Sequence, residues 1–147
     1  MRGRMTPGKN DRCMMCMMRH EHCICAEICT FASPLPIIVV RHWKERHKPS
    51  NTARLADLAI SNLEIVDYGA PGTSWNPSNL DLAAPALLFP TDDKNALPYD
   101  PKSIVVVDGS WPQARKLVNK LPALQSMPRI QVQPPREPRT RLRKPPG

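Results

Sequence analysis

The sequence predicts an α/β domain built on a mostly parallel sheet, with a four-cysteine zinc knuckle on its N-terminal side. Three observations predict it. Short β-branched runs alternate with stretches of helical periodicity, as strands joined by crossovers do. Prolines fall at the ends of those runs (Pro36, Pro49, Pro71, Pro90, Pro112, Pro128), as punctuation between elements. Four cysteines, Cys13, Cys16, Cys23 and Cys25, lie within 13 residues.

The first strand is Ile37-Ile38-Val39-Val40, a continuous apolar run suited to burial on both faces. Ser50 or Asn51 caps a helix with apolar positions Leu55, Leu58, Ala59 and Leu63. Glu64 to Tyr68 reads as a second strand ended by Gly69. Residues 70–85 form a long connection rich in Pro, Gly, Asn and Ser. Ala86 to Phe89 is a third strand stopped by Pro90, and Ile104 to Val107 is a fourth. Ser110 and Gln113 stand at capping-box spacing before a helix over Pro112 to Leu121. Ile130 to Val132 gives a fifth strand. The chain thus divides into a basic lead-in (1–12), the cysteine knuckle (13–29), the α/β domain (30–133) and a Pro/Arg tail (134–147).

At 147 residues the chain suffices for one domain, and 41% hydrophobic content is globular. A net charge of +8 suits a polyanionic partner. No apolar run approaches the roughly 20 residues that span a bilayer. The polar, basic start lacks the apolar core of a signal peptide. A cytoplasmic, reducing setting is therefore expected, where cysteines serve as ligands more often than as disulfides.

Cys13-x2-Cys16 is a common half-site for tetrahedral Zn²⁺, and Cys23-x-Cys25 supplies the remaining two thiolates. Four protein ligands close the site, so the expected metal is structural. The alternative is four reduced, metal-free thiols. His20, His22 and Cys29 are spare donors, and Met14, Met15, Met17 and Met18 read as adaptable packing.

In parallel α/β sheets ligands bind outside the carboxyl ends of strands. Three polar groups are expected there: Arg41-His42, Pro90-Thr91-Asp92 and Asp108-Gly109-Ser110-Trp111. Gly109 would allow a sharp turn and close approach of a ligand. Ser110 would cap the next helix, and Trp111 could stack on adenine or a nucleobase. The plainer alternative is an ordinary strand–turn–helix with a core Trp. His42 and Glu45 read either as a site pair or as an i,i+3 surface pair.

Taken together, these motifs resemble the DTW-domain family of tRNA-uridine aminocarboxypropyltransferases. The resemblance rests on DGSWPQARKL at 108–117, where Ser110 stands for the motif Thr, and on the cysteine pattern CMMCMMRHEHCIC. It rests also on Arg41-His42-Trp43-Lys44-Glu45, on Asn51-Thr52-Ala53-Arg54-Leu55 and on LLFP at 87–90. These occur in collinear order over roughly residues 10–133.

The resemblance implies a SPOUT-like α/β fold whose C-terminal segment, which helps close the cofactor pocket, is expected to be missing here. It implies S-adenosylmethionine as donor of its 3-amino-3-carboxypropyl group to uridine N3 in tRNA, with methylthioadenosine released. Asp108 would accept the N3 proton or hold the donor's ammonium. Leu88, Phe89, Pro90, Gly109, Ser110 and Trp111 would line the donor pocket. Arg41, Arg54, Arg115 and Lys116 would address RNA, helped by a tail arm of Arg136, Arg139, Arg141, Arg143 and Lys144. No membrane and no obligate protein partner are expected. Two other readings stay open: a SPOUT-type RNA methyltransferase, and an inactive zinc-stabilised RNA-binding module.

Overall fold

The structure, a computed structural model, describes residues 11–72, 82–91 and 100–132. The lead-in up to residue 10, most of the 70–85 connection, Asp92 and the Pro/Arg tail lie outside the described residues. Among the described residues five strands form one all-parallel sheet in the order β2-β1-β4-β3-β5. They are β1 (Ile37–His42), β2 (Leu63–Tyr68), β3 (Pro85–Leu88), β4 (Ser103–Asp108) and β5 (Arg129–Ile130). Helix α1 (Thr52–Ala59) joins β1 to β2. Helix α2 (Trp111–Lys120) and the short α3 (Pro122–Gln125) join β4 to β5. No helix among the described residues is long and apolar enough to cross a membrane.

The strands alternate their side chains between two faces. On one face Ile38 and Val40 of β1, Leu87 of β3 and Val105 of β4 pack with Leu117, Val118, Leu121 and Leu124 to form the core. Full burial of a Leu or Val contributes roughly 1.5–3 kcal/mol, so this cluster carries most of the fold. Arg41 and its neighbours point to the other face, where α1 lies: the Asn51 side chain at the head of α1 meets the Arg41 guanidinium. The handedness of crossovers explains the division. β1→β2 and β4→β5 move outward in opposite directions, and right-handed connections then place α1 and α2 on opposite faces. The crevice of such a sheet opens where the direction switches, between the carboxyl ends of β1 and β4.

Element ends differ from the sequence reading in several places: β3 runs from Pro85 and stops at Leu88, β5 is Arg129–Ile130 and leaves out Val132, and α2 starts at Trp111 and ends at Lys120. β1 runs past Val40 through Arg41 and His42, because both residues keep pairing with Asp67 and Tyr68 of β2. Leu63 belongs to β2 and not to the preceding helix, which stops at Ala59. Asn51 is the N-cap, its Oδ1 accepting from the Arg54 N–H. At α2, Ser110 is the N-cap residue, and the Gln113 side chain accepts from the Ser110 N–H at 2.7 Å. At the far end of the strands, Asn62 clamps the backbone of Ser33 through both its amide atoms, tying the segment after the knuckle to the start of β2.

Candidate functional site

The sheet order places the three strand ends singled out in the sequence side by side, as β1, β4 and β3. Across the β2-β1-β4 rung, Asp67, Arg41 and Asp108 are register neighbours. Arg41 is buried at 7% exposure, which would be costly without a partner. Its guanidinium grips Asp67 with two bonds, Nε to Oδ1 at 2.7 Å and Nη2 to Oδ2 at 3.2 Å. Its third nitrogen, Nη1, donates to Asn51 Oδ1 at 3.4 Å. Asn51 Nδ2 in turn donates to Asp108 Oδ2 at 2.5 Å. A continuous polar chain, Asp67–Arg41–Asn51–Asp108, thus crosses three strands and a helix head. It fixes one oxygen of Asp108. Among the described residues the other, Oδ1, carries no hydrogen bond.

Gly109 departs from the sequence reading. It is absent from the residues with positive φ, so the turn does not require glycine for its backbone angles. A Cβ there would lie 3.2 Å from Gln113 Cβ and 3.5 Å from His42 Cβ. The Gln113 and His42 side chains occupy the space on that side of the glycine.

Trp111 is half-exposed, not sealed in a core. Its ring stacks on Phe89 with centroids 5.4 Å apart and an interplanar angle of 12°. At that separation no base fits between the two rings. The Arg129 guanidinium also lies against Phe89, 5.6 Å from its centroid. Leu88 and Phe89 are half-buried beneath, and Pro90 is exposed.

His42 and Glu45 do not form a hydrogen-bonded pair among the described residues. Glu45 is buried and bound to Lys48 at 2.6 Å. His42 Nδ1 accepts from the Lys44 backbone N–H at 3.3 Å, which assigns the imidazole proton to Nε2. Burial, then the nearby Lys44 charge, lowers its pKa below the ordinary 6.5. A depressed folded value means the stabilisation is present above pH 6.5 and is lost as pH falls through the folded pKa. An NMR titration of His42 is expected to show a midpoint below 6.5, rising toward it in Lys44→Ala.

The four residues expected at RNA do not form one surface. Arg41 is committed to the buried network, a correction to its reading as a phosphate contact. Arg54 lies on the α1 side, its Nη2 on the Arg46 carbonyl and its Nε buried with no hydrogen-bond partner among the described residues. Arg115 and Lys116 are exposed on α2, across the sheet.

The knuckle gathers the Sγ atoms of Cys13, Cys16, Cys23 and Cys25 within 4.8 Å of one another. Cys13 to Cys25 is 3.7 Å and Cys16 to Cys23 is 3.8 Å. Tetrahedral zinc with bonds of about 2.3 Å sets sulfurs about 3.8 Å apart, so the donor set fits the ion. Met17 takes a left-handed φ of 60° to close the first turn, a strain on the order of 1 kcal/mol. Two donated backbone N–H groups, from Cys16 and Met15, bring the Cys13 thiol down to about 6. Burial and the surrounding thiols push Cys25 up to about 12. Met14 and Met15 project into solvent, unlike the packing role read from sequence.

With this geometry in view, comparison with known proteins is decisive at the family level. The DTW domain family model matches residues 10–147. The chain belongs to the DTW domain family. This DTW chain is 22% identical over 144 residues to tRNA-uridine aminocarboxypropyltransferase 2 of Drosophila melanogaster, covering 86% of this chain and 55% of that protein. It therefore spans about half the length of that relative. No solved structure matches it.

Sequence reasoning missed Asn51 and Asp67 as members of the DTW strand-end network. Asn51 was legible only as a helix cap. Asp67 sat inside an otherwise plausible strand, LEIVDY, and its facing partner depends on the order of strands.

Proposed function

We propose that this chain modifies tRNA by moving the 3-amino-3-carboxypropyl group of S-adenosylmethionine to uridine N3. The observation that carries the reading is Asp108, held by Asn51 at the β1/β4 switch point, its other carboxylate oxygen carrying no hydrogen bond among the described residues. The family match and the named activity of the Drosophila relative support it. The donor supplies an electrophilic carbon next to its sulfonium. Uridine N3 forms the new C–N bond as the C–S bond breaks, neutral methylthioadenosine leaves, and the N3 proton passes to an acceptor.

Asp108 Oδ1 suits either of two tasks: accepting that proton, or holding the donor's ammonium. In both, the residue works by position, and the buried network keeps it in place. Leu88, Phe89, Pro90, Gly109, Ser110 and Trp111 would flank the donor at the adjoining ends of β3 and β4. The mutual stack of Phe89 and Trp111 leaves only the outer indole face for adenine. Zinc, held by the four cysteines, would be structural and take no part in the transfer.

The test is incubation with S-adenosylmethionine and unmodified tRNA, with mass spectrometry of by-product and nucleosides. Methylthioadenosine and an aminocarboxypropyl-uridine are expected; S-adenosylhomocysteine would move the assignment to methyl transfer. Asp108→Ala is expected to lower turnover by about 100-fold or more, the usual scale for a positioned acid–base group. Near wild-type turnover would remove Asp108 from the mechanism.

A further inference from the structure

Two hollows meet over α2. One, of about 430 Å³, lies between the carboxyl ends of β1 and β2 and the helix, with His42, Lys44 and Tyr68 facing Lys116 and Lys120. The other, of about 420 Å³, lies on the outer side of the helix among Trp111, Arg115, Lys116 and Lys120. Pro112, Lys116 and Lys120 line both, as the i, i+4, i+8 row of α2 that the two hollows flank. Lys44, Arg115, Lys116 and Lys120 line the two hollows, and among the described residues no Asp or Glu does. Among the described residues none of these four cations has a carboxylate within ion-pair distance.

The hollow beside α1 makes the contrast. It holds Arg41, Arg46 and Arg54, but Asp57 and Glu64 line it too. Arg41 and Arg46 already face Asp67. Its charges are largely answered from within, whereas those of the α2 groove are not. Ten residues of α2 span about 15 Å, room for several consecutive phosphates of one strand. The groove ends at Trp111, three residues from Asp108.

We propose that the basic surface of α2, with the hollow on each side of it, is the α2 groove that seats the phosphate backbone of a single-stranded RNA segment, with Lys44, Arg115, Lys116 and Lys120 as its phosphate contacts. RNA fits better than a compact anion because the cations are spread along the groove and do not converge on one point. The proposal takes its ligand class from the transferase reading, but its test does not use transfer.

The test is a binding titration without donor, using unmodified tRNA and a single-stranded oligoribonucleotide over a range of salt. Compared are wild type, the double variant Lys44→Ala/Lys120→Ala, and Lys102→Ala. Lys102 pairs with Asp100 at the opposite end of the strands and serves as control. The double variant is expected to bind about tenfold more weakly. Its slope of log affinity against log salt should be shallower by about 1.4, from about 0.7 per lost single-strand phosphate contact. Circular dichroism checks that the exposed substitutions leave the fold unchanged. Affinity and slope equal to those of Lys102→Ala would overturn the groove. Equal binding of an acidic polypeptide of matched charge would overturn RNA as its ligand. If the binding pattern holds and no transfer is found, the transferase reading alone fails; if transfer is found without the pattern, the groove alone fails.

Discussion

Stripping zinc from the cysteine knuckle is expected to unfold residues 11–29 while the sheet stays folded. The physical reason is the absence of any other core. Between Cys13 and Cys29, Cys16 is the one buried residue. The segment is otherwise held by a few backbone bonds, such as Cys13 N–H to Met18 at 2.8 Å and Met17 N–H to Cys13 at 2.9 Å. Structural zinc in small modules contributes about 10–16 kcal/mol of apparent binding free energy at neutral pH, far more than such bonds supply. The α/β core draws on Ile38, Val40, Leu87, Val105 and the α2–α3 leucines, none of which lies in the knuckle.

The checks are direct. Metal analysis should return one zinc per chain, and cobalt substitution should give the absorption bands of a tetrahedral tetrathiolate. Hydrogen exchange after chelation should rise across 11–29 and stay low in β1 and β4. Cys16→Ser should behave as the chelated protein does. Because the metal binds thiolates, uptake at pH 7 should release protons chiefly from Cys23 and Cys25, whose thiols are raised, and less from Cys13. A chelated protein with unchanged exchange across the knuckle would show that zinc plays no structural part.

The strands were legible from sequence because β-branched runs bounded by proline have few other folds available to them. The caps were legible in part: Ser110 was read directly, and Asn51 was one of two candidates beside Ser50. The four thiols were legible because metal geometry limits their spacing. What was not legible depends on strand order. Arg41 read as a surface cation because a charge after four apolar residues ordinarily marks a strand's exit into solvent. Only the parallel pairing with β2 shows that Asp67 waits across the rung to neutralise it. Gly109 misled for a related reason. A glycine after a strand suggests room for a ligand, yet the room is filled by Gln113, which the capping box itself draws inward. The stack of Phe89 on Trp111 likewise joins residues 22 positions apart through the adjacency of β3 and β4.

Arg41→Leu is expected to destabilise the domain by about 3–5 kcal/mol, the scale for removing one member of a buried ion pair. Leucine matches the apolar strand around it but leaves Asp67 without its two-pronged partner and Asn51 Oδ1 with one donor fewer. Asp67 retains Arg46 at 3.7 Å and is a quarter exposed, which places the expected cost at the lower end of that range. Urea denaturation of the purified protein measures it. Arg41→Lys separates charge from geometry: an ammonium keeps the sign but cannot make two parallel bonds to Asp67 and a third to Asn51. It should recover part of the stability and little of the positioning. The same variant reaches the chemistry indirectly, because Asn51 orients Asp108. If the network positions Asp108, Arg41→Lys and Asn51→Ala should both lower turnover with less change in donor affinity. RNA affinity should hold in both, since the phosphate contacts proposed on α2 lie on the opposite face. An Arg41→Leu protein as stable as wild type would mean that Asp67 is satisfied by water and Arg46, and that the buried chain of polar groups is incidental.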